Sequence, residues 1–422
     1  MRMKFLVLLV WTCALMGGEA PFGFEAHGFF DVRAGFRLQN DATQRDTSLA
    51  ESRLQLDLNR MGEWTTLQIR GDAVYDDVID DRDIDLETGR GWFDLREANL
   101  LFSPNRSMDV KVGRQILTWG TGDLLFVNDL FPKDWQSFFS GRQTEYLKAP
   151  SDALMMSFFP SFANIDLVYT PRFDADRFIR GERFSYWNGN LGRRAGRDAV
   201  VAVDRPDRWV DDGEWALRIS RTIKGYELAF YGYDGFWKSP AGQDPVRGLA
   251  TFPELRVWGA SLRGGFGKGL IHAEFGWYDS RRDRDGEDPT VGNGEIRVLL
   301  GYERELAREF TLGVQYYLER MLDYENYRAS LPAGLVGRDR NRHVTTVRLT
   351  RTAMNQNLTL SLFGYASPSD NDFYLRPSVS WKVTDAWQVF AGGNLFGGSR
   401  DHTFFGQFEK NSNAYGGFRY SF

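Results

Sequence analysis

Residues 269–280 of this 422-residue chain read GLIHAEFGWYDS, and their side chains alternate in polarity. The apolar positions are Ile271, Ala273, Phe275 and Trp277. The positions between them are polar or glycine, as at His272 and Glu274. A period of two matches a β-strand, in which successive side chains point to opposite faces. The segment is therefore predicted to be a strand with one apolar face and one polar face.

The same alternation recurs along the whole chain and predicts an all-β protein. Most segments are about ten to twelve residues long, the length that a tilted strand needs to cross a membrane, and soluble strands are usually shorter. Sixteen strands is the main alternative count, because the segments 152–159 and 163–170 are short. We place about eighteen strands, near residues 28–39, 49–60, 64–77, 92–103, 106–116, 152–159, 163–170, 213–222, 225–235, 254–264, 269–280, 294–304, 309–320, 341–352, 357–367, 372–382, 387–396 and 411–422.

The connections between these segments alternate between short turns and longer loops. Short turns are predicted at 61–63 and 223–225, and long loops at 117–151 and 171–212. This alternation is typical of a transmembrane antiparallel up-and-down β-barrel, and nothing in a soluble β-sandwich requires it. An even number of strands places both chain termini on the short-turn side.

Composition excludes several classes of protein. The chain is 26% charged and its mean hydropathy is −0.43, and no stretch after residue 20 approaches the roughly 18 apolar residues of a membrane-spanning helix. The formal net charge of −5 argues against nucleic acid as a partner, because nucleic-acid binders show a basic face. The single cysteine, Cys13, lies near the N-terminus, so the rest of the chain has no thiol for a disulfide or a thiolate metal site.

The first twenty residues resemble a secretory signal peptide. Arg2 and Lys4 are basic, Phe5–Met16 is apolar but too short to span a bilayer, and Gly18–Ala20 resembles a cleavage site. Pro21 is unfavourable directly after a cleavage site, so the cleavage position stays open. Residues 21–422 are then one barrel domain. The first strand follows almost directly, which leaves no room for a plug domain and predicts passive rather than energised transport.

Aromatic residues mark the ends of the predicted strands. Tryptophan and tyrosine favour the depth at which a membrane meets water. Ordinary strand-end aromatics are the alternative at any single site, but their number favours an aromatic girdle. The residues concerned are Trp64, Trp92, Trp215, Tyr226, Trp277, Trp387 and Phe422.

The chain ends on an alternating aromatic strand. Phe418, Tyr420 and Phe422 share one face, and Arg419 lies on the other. A terminal phenylalanine on such a strand resembles the signal by which outer-membrane proteins are recognised for assembly. The resemblance implies the barrel-assembly machinery as a partner. It also implies residence in the outer membrane of a Gram-negative bacterium, in contact with lipid and lipopolysaccharide.

A second resemblance covers about 25 residues. Arg96-Glu97-Ala98 is followed by Gly113-Arg114-Gln115 and then by Trp119-Gly120. This spacing is similar to a group of proteobacterial porin-like barrels that includes relatives of alginate-export channels. The resemblance implies a pore-forming barrel that passes small hydrophilic solutes. Nothing in these residues singles out alginate.

The predicted loop 117–151 contains the candidates for a pore constriction. They are Trp119, Asp123, Asp129 and Trp135. Such aromatic content is unusual for a loop wholly exposed to water. One explanation is that the loop folds into the lumen and narrows it. The alternative is that it packs over the barrel mouth or against a neighbouring subunit, which leaves a homo-oligomer open.

The predicted inward face carries charges of both signs. A ring of fixed charge in a narrow pore selects ions, and arginine also binds carboxylates and sugars. The alternative is that opposite charges simply pair across neighbouring strands. The surplus of arginine points to a small polar solute that is anionic or sugar-like. The lumen candidates are Arg33, Arg37, Arg53, Arg70, Arg218, Arg297, Arg348, Arg376 and Arg419.

The acidic residues between 76 and 90 raise the question of calcium. Their spacing does not match an EF-hand loop, which needs glycine and glutamate at fixed positions. A solvated acidic loop is the preferred interpretation, so no metal site is predicted, and no cofactor-binding motif is present. Whether this loop binds calcium stays open.

Two other functions compete with a channel. A barrel enzyme would need a catalytic histidine, and the candidates are His272 beside Glu274 and the pair Asp401-His402. No G-x-S-x-G motif accompanies them, so an enzyme is not predicted. A sheath or scaffold barrel would enclose or dock a partner protein, since a barrel of this size holds either water or a plug.

Overall fold

The structure is a computed structural model that describes residues 23–79 and 83–422. The predicted signal peptide, residues 1–20, lies outside the described residues. So do Asp80 and Asp81 of the acidic loop.

Eighteen antiparallel strands form one sheet that closes on itself. Each strand pairs with its sequence neighbours, and the last pairs with the first. The strands are β1 Glu25–Arg37, β2 Thr47–Met61, β3 Thr65–Asp76, β4 Phe93–Asn105, β5 Met108–Gln115, β6 Ser151–Phe158, β7 Asn164–Thr170, β8 Glu214–Ile223, β9 Tyr226–Phe236, β10 Glu254–Phe266, β11 Gly269–Ser280, β12 Glu295–Ala307, β13 Phe310–Met321, β14 Asn341–Ala353, β15 Leu358–Ser367, β16 Asp372–Lys382, β17 Trp387–Gly398 and β18 Asn413–Ser421.

The predicted fold and the count of eighteen strands are confirmed. The predicted bounds 269–280 and 372–382 are those of β11 and β16, and the first strand begins three residues earlier than predicted, at Glu25. The alternative count of sixteen is wrong. The short strands β6 and β7 are each paired on both sides, because a membrane strand without a neighbour would leave its main-chain groups unsatisfied.

The two ends of the barrel differ in their connections. One end, which we call the short-turn end, has connections as short as Lys224–Gly225. The other, the long-loop end, has connections such as 116–150 and 171–213. The long loops contain helices α1 Trp135–Ser140 and α2 Tyr324–Ser330, 3-10 turns Thr144–Leu147 and Gly406–Asn411, and short strands Tyr186–Asn188, Arg193–Ala195, Val203–Asp204, Gly242–Asp244 and Leu249–Thr251.

Alternation separates an apolar outer face from a polar inner face. In β1, Asp31 and Arg33 are buried inside the barrel, whereas Phe36 is 59% exposed on the outside. No helix among the described residues is long and apolar enough to cross a membrane. Large outward tryptophans lie near the strand ends, as the aromatic pattern predicts, and remain at least 42% exposed: Trp64, Trp92, Trp215, Trp277 and Trp387.

The seam between β1 and β18 includes the last residue of the chain. The amide of Gly28 donates to the carbonyl of Phe422, and the amide of Phe422 donates to the carbonyl of Gly28, both at 3.0 Å. The Phe422 ring lies over Gly28, where an added Cβ would come within 2.7 Å of the ring. The glycine therefore gives the terminal ring its place on the outer face.

Deleting Phe422 should lower the yield of folded barrel, because the deletion removes both main-chain bonds with Gly28 and the ring. Phe422→Ala keeps the main-chain bonds and should lose less. Folded yield is read from heat-modifiable migration after refolding into lipid. Phe266→Ala, which removes a 61% exposed ring at the short-turn end of β10, is the matched control. Equal yields for the wild type and the deletion would contradict the role given to the C-terminus.

Candidate functional site

The connection between β5 and β6, residues 116–150, lies inside the barrel, and we call it the inner loop. It hydrogen-bonds to inward side chains from widely separated strands: Arg33 of β1, Glu274 of β11 and Tyr365 of β15. It therefore crosses the lumen from one wall to the other.

Glu274 fixes the first half of the inner loop. Its carboxylate accepts from the amides of Thr121, Gly122 and Asn128, the last two at 2.8 and 3.0 Å. It also accepts from the Asn128 side chain at 2.9 Å. Hydrogen bonds to a charged group are the stronger kind, worth about 1.5–3 kcal/mol each. One buried carboxylate on the wall thus organises eight residues of the loop.

The tip of this segment is fixed by strands β14 and β15, three and four strands further along the sheet. Arg348 forms an ion pair with Asp123, with Nη2 2.7 Å from Oδ1. The Tyr365 hydroxyl donates to the carbonyl of Leu124 at 2.8 Å. Leu124 has φ 57°, a left-handed conformation that costs a residue with a side chain about 1–2 kcal/mol. These wall contacts hold the strained residue in place.

The second half of the inner loop begins with helix α1. Asp134 caps the helix, accepting from the amide of Ser137 at 2.7 Å. The helix ends at Gly141, whose φ of 89° suits glycine, and a Cβ there would fall 2.3 Å from the ring of Tyr415. The carbonyl of Gly141 accepts from Arg33 at 2.7 Å. The helix therefore ends against the β1–β18 wall.

Buried ion pairs then bind the loop to β2 and β3. Arg142 donates to Glu51 at 2.8 Å, and Arg53 donates to the same carboxylate at 3.0 Å. Arg53 also reaches Asp72 at 2.5 Å, and Tyr146 donates to Asp72 at 2.9 Å. Breaking a buried pair of this kind costs about 3–5 kcal/mol, because it leaves a charge without a partner.

Apolar side chains fill much of the lumen around these pairs. Phe138 and Phe139 of helix α1 pack on inward rings of β16 and β17, and the Phe139 and Tyr374 ring centroids are 5.5 Å apart. On the other side, Phe131 packs with Leu117 against inward residues of β6–β11. The long-loop half of the barrel thus contains a packed apolar core, whereas the alternating strands led us to expect a polar lumen.

A second long connection, residues 171–213, also enters the barrel mouth. Arg177 forms a two-bond ion pair with Asp94 of β4, both bonds at 2.8 Å. Arg183 is 1% exposed and pairs with Asp76. The sequence alone did not indicate that this segment is part of the site. Its arginines lie in a loop without period-two alternation, so no pattern indicated that they are buried.

The four constriction candidates do not form a single ring. Asp123 pairs with Arg348, as described above, while Asp129 accepts from Lys133 at 2.9 Å. Trp119 packs on Phe131 with ring centroids 4.9 Å apart. The indole N–H of Trp135 donates to Asp176 at 3.1 Å. All four hold the inner loop in shape, and all but Asp129 are also partly exposed.

The nine candidate arginines face the barrel interior, and eight have oxygen partners. Arg376 is the exception among the nine: within the described residues its guanidinium has no ion pair or hydrogen bond, and it lies over the Phe138 ring, 4.4 Å from the centroid. The other partners are Asp31 and the Gly141 carbonyl for Arg33, two carbonyls and Asn411 for Arg37, Glu51 and Asp72 for Arg53, Asp57 and Glu97 for Arg70, Asp166 and Glu227 for Arg218, Glu295 for Arg297, Asp123 for Arg348, and Asp31 for Arg419.

The residues considered for catalysis have other partners. His272 Nε2 lies 3.1 Å from Gln315 Oε1, and Glu274 binds the inner loop. Asp401 pairs with Arg194 at 2.9 Å, while the His402 ring packs on a tryptophan. These contacts give neither histidine an acidic partner of the catalytic kind.

Carboxylates of the acidic loop pair with arginine side chains of the same chain. Asp76 accepts from Arg183, and Glu87 accepts from Arg172 and Arg205. Asp85 accepts from the hydroxyl of Thr88 at 2.6 Å. No group of three or more potential metal ligands occurs among residues 23–79 and 83–422.

Solved structures of known proteins share this architecture. OccAB3 of Acinetobacter baumannii matches 94% of this chain and 99% of its own, with TM-score 0.55 and 11% identity. OccK11 (OpdR) of Pseudomonas aeruginosa matches 94% and 95%, with TM-score 0.53 and 8% identity. The chain has the fold of the outer-membrane porins. A mutant of Rh. blastica porin also matches 94% of this chain and 100% of its own, with TM-score 0.42 and 11% identity.

No protein-family model and no curated protein matches the chain. The resemblance of residues 96–120 to alginate-export relatives therefore stays a prediction. At identities of 8 and 11%, similarity to solved structures shows the fold and leaves the solute open.

Glu274→Gln should loosen residues 120–128, because a neutral amide no longer accepts strongly from three loop amides. We expect faster hydrogen exchange in this segment, by about tenfold or more. Hydrogen–deuterium exchange read by mass spectrometry measures it. Glu303→Gln, an exposed inward position of β12 away from the loop, is the control. Unchanged protection of 120–128 in Glu274→Gln would show that the wall carboxylate does not hold the loop.

The loop 171–213 contains a carboxyl group that responds to pH. Burial raises the pKa of Asp174 to about 6, with a further contribution from the nearby Glu214, and Lys238 opposes the shift. The folded loop thus binds this proton more tightly than an unfolded aspartate does. The resulting stability is present below pH 4 or so, near the ordinary pKa, and is lost as the pH rises through about 6.

Protection of residues 171–178 from hydrogen exchange, corrected for intrinsic rates, should therefore be higher at pH 4.5 than at pH 7.5. Asp174→Asn should remove this difference, whereas Asp211→Asn, a 68% exposed side chain in the same loop, should keep it. A pH difference that survives in Asp174→Asn would assign it to another group.

Proposed function

We propose that this chain is a porin-like channel of the Gram-negative outer membrane, through which small hydrophilic solutes diffuse passively. One observation carries the proposal: a wall-anchored inner loop crosses a closed barrel and leaves water-accessible charged surface on its short-turn side. Arg70 and Glu227 there keep 30% and 44% of their side chains exposed. A cavity lies on the loop's other side. In this proposal the inner loop is the constriction.

The charge pattern favours anionic or sugar-like solutes. Most inward arginines are neutralised by carboxylates, so they add little net field along the path. Arg376 has no carboxylate partner and lies beside helix α1, over the Phe138 ring, where the loop narrows the lumen. A planar guanidinium next to a ring binds carboxylates and sugar hydroxyls well. Arg376 is thus the side chain proposed to set selectivity.

The packed lumen also bears on the other hypotheses. A sheath barrel would hold its partner where the inner loop and residues 171–213 already lie. An enzyme would need a free acid beside its histidine, and Glu274 is committed to loop amides. Both observations favour a channel.

Single-channel recording in a planar bilayer tests the proposal. We expect discrete conductance steps and, under a salt gradient, a reversal potential that shows anion preference. Arg376→Gln should lower the anion-to-cation permeability ratio, roughly twofold, because it removes the unpaired cation from the narrow section. Arg221→Gln, which removes the same charge from the outer face of β8, should not. A folded barrel that never conducts would overturn the proposed function.

A further inference from the structure

A cavity of about 1150 Å³ lies at the long-loop end of the barrel. Its floor is the inner loop. Its walls come from the other long loops and from the long-loop ends of strands such as β12 and β13. Small-molecule sites typically enclose about 300–1,000 Å³, so the space suffices for one solute with some water.

The floor of this cavity is mostly apolar, and its charged part is the ion pair between Lys133 and Asp129. Leu124, Leu125, Phe126 and Trp135 of the inner loop line it and are only partly buried, and Ile179 adds a side chain from the second loop. These side chains therefore present apolar surface to the cavity. An apolar floor within a concave, partly enclosed space is typical of ligand sites rather than of open water channels.

The aromatic rings of the floor are held in one arrangement. Phe126 and Trp135 meet edge to face, with centroids 5.9 Å apart and an interplanar angle of 71°. The ammonium of Lys133 lies 4.8 Å from the Phe126 centroid, and Asp176 accepts from the Trp135 indole. Both rings are thus preorganised, which reduces the entropy that a ligand would lose on ordering them.

Charged side chains around the cavity are almost all paired within the protein. Arg338 binds Glu319 at 2.6 Å, and Arg342 binds Asp370 at 2.9 Å. The other paired cations are Lys133 with Asp129, Lys238 with Glu214 and Arg297 with Glu295. Three lining charges remain: Asp176 accepts from the Trp135 indole and the Ser239 hydroxyl, while Arg400 and Asp339 are exposed and opposite in sign.

We propose that this cavity is a binding site for an uncharged solute with an apolar ring, seated on Leu125, Phe126 and Trp135. Burying the ring on the apolar floor provides the driving force. The unpaired cation that lines the cavity, Arg400, is exposed to solvent, so water screens its charge and it adds little to the binding of an anion. The site goes beyond the proposed channel for hydrophilic solutes, since it would bind a different class of solute on the long-loop side of the constriction.

Equilibrium dialysis tests this, with folded protein in detergent, the same micelles in both compartments, and phenol or cyclohexanol as the probe. We expect saturable binding of both. Leu125→Asp should weaken it about tenfold, because it places a charge in the apolar floor. Val246→Asp, at a loop position 93% exposed and outside the cavity, should bind like the wild type. Heat-modifiable migration confirms that each variant is folded.

Three results would overturn the inference: no saturable binding, equal binding by folded Leu125→Asp, or tighter binding of benzoate than of phenol. Dialysis requires no conduction, so the outcome is separate from that of the channel proposal. A barrel that conducts but binds neither phenol nor cyclohexanol disproves only the binding site. A barrel that binds both but never conducts disproves only the channel.

Discussion

Closure of the sheet is the constraint on which the rest of this structure depends. Lipid offers no hydrogen-bonding partner, so the edge strands β1 and β18 have to satisfy each other. Their register places Asp31 opposite Arg419, and on the other side opposite Arg53 of β2. The seam thus aligns main-chain bonds and lumen charges together. With eighteen strands the closed ring is wide, and its interior has to be filled by side chains, loops or water.

The protein fills that interior with its own chain. Helix α1 and the residues around it form a packed aromatic core inside the barrel, which removes their rings from water. Loop main chain buried this way needs partners, and Glu274 and Tyr365 supply them from the wall. Inward polar residues such as Glu274 and Tyr365 therefore hold the loop, and others, such as Arg70, pair with carboxylates of the wall.

The inner loop separates two environments with different chemistry. On the short-turn side, charged side chains such as Arg70 and Glu227 face water. On the long-loop side, the same segment presents Leu125 and Phe126 to an enclosed cavity. One segment can do both because contacts to Glu274 and Arg348 fix its conformation against the wall. A porin fold is compatible with such an arrangement, since selectivity in barrels resides mainly in loops on a rigid wall.

Sequence by itself determined the barrel, the strand count and the inward direction of the nine candidate arginines. It could do so because a period of two is a local property, set by the backbone and by the contrast between lipid and water. It also marked 117–151 as unusual by its aromatic content. Only the tertiary structure decided which charges are free. Glu274 and Arg376 look alike in sequence, each one polar residue on an alternating strand. Their roles differ because one meets the amides of a distant loop and the other meets only a ring, and contacts between residues so far apart in the chain leave no local pattern.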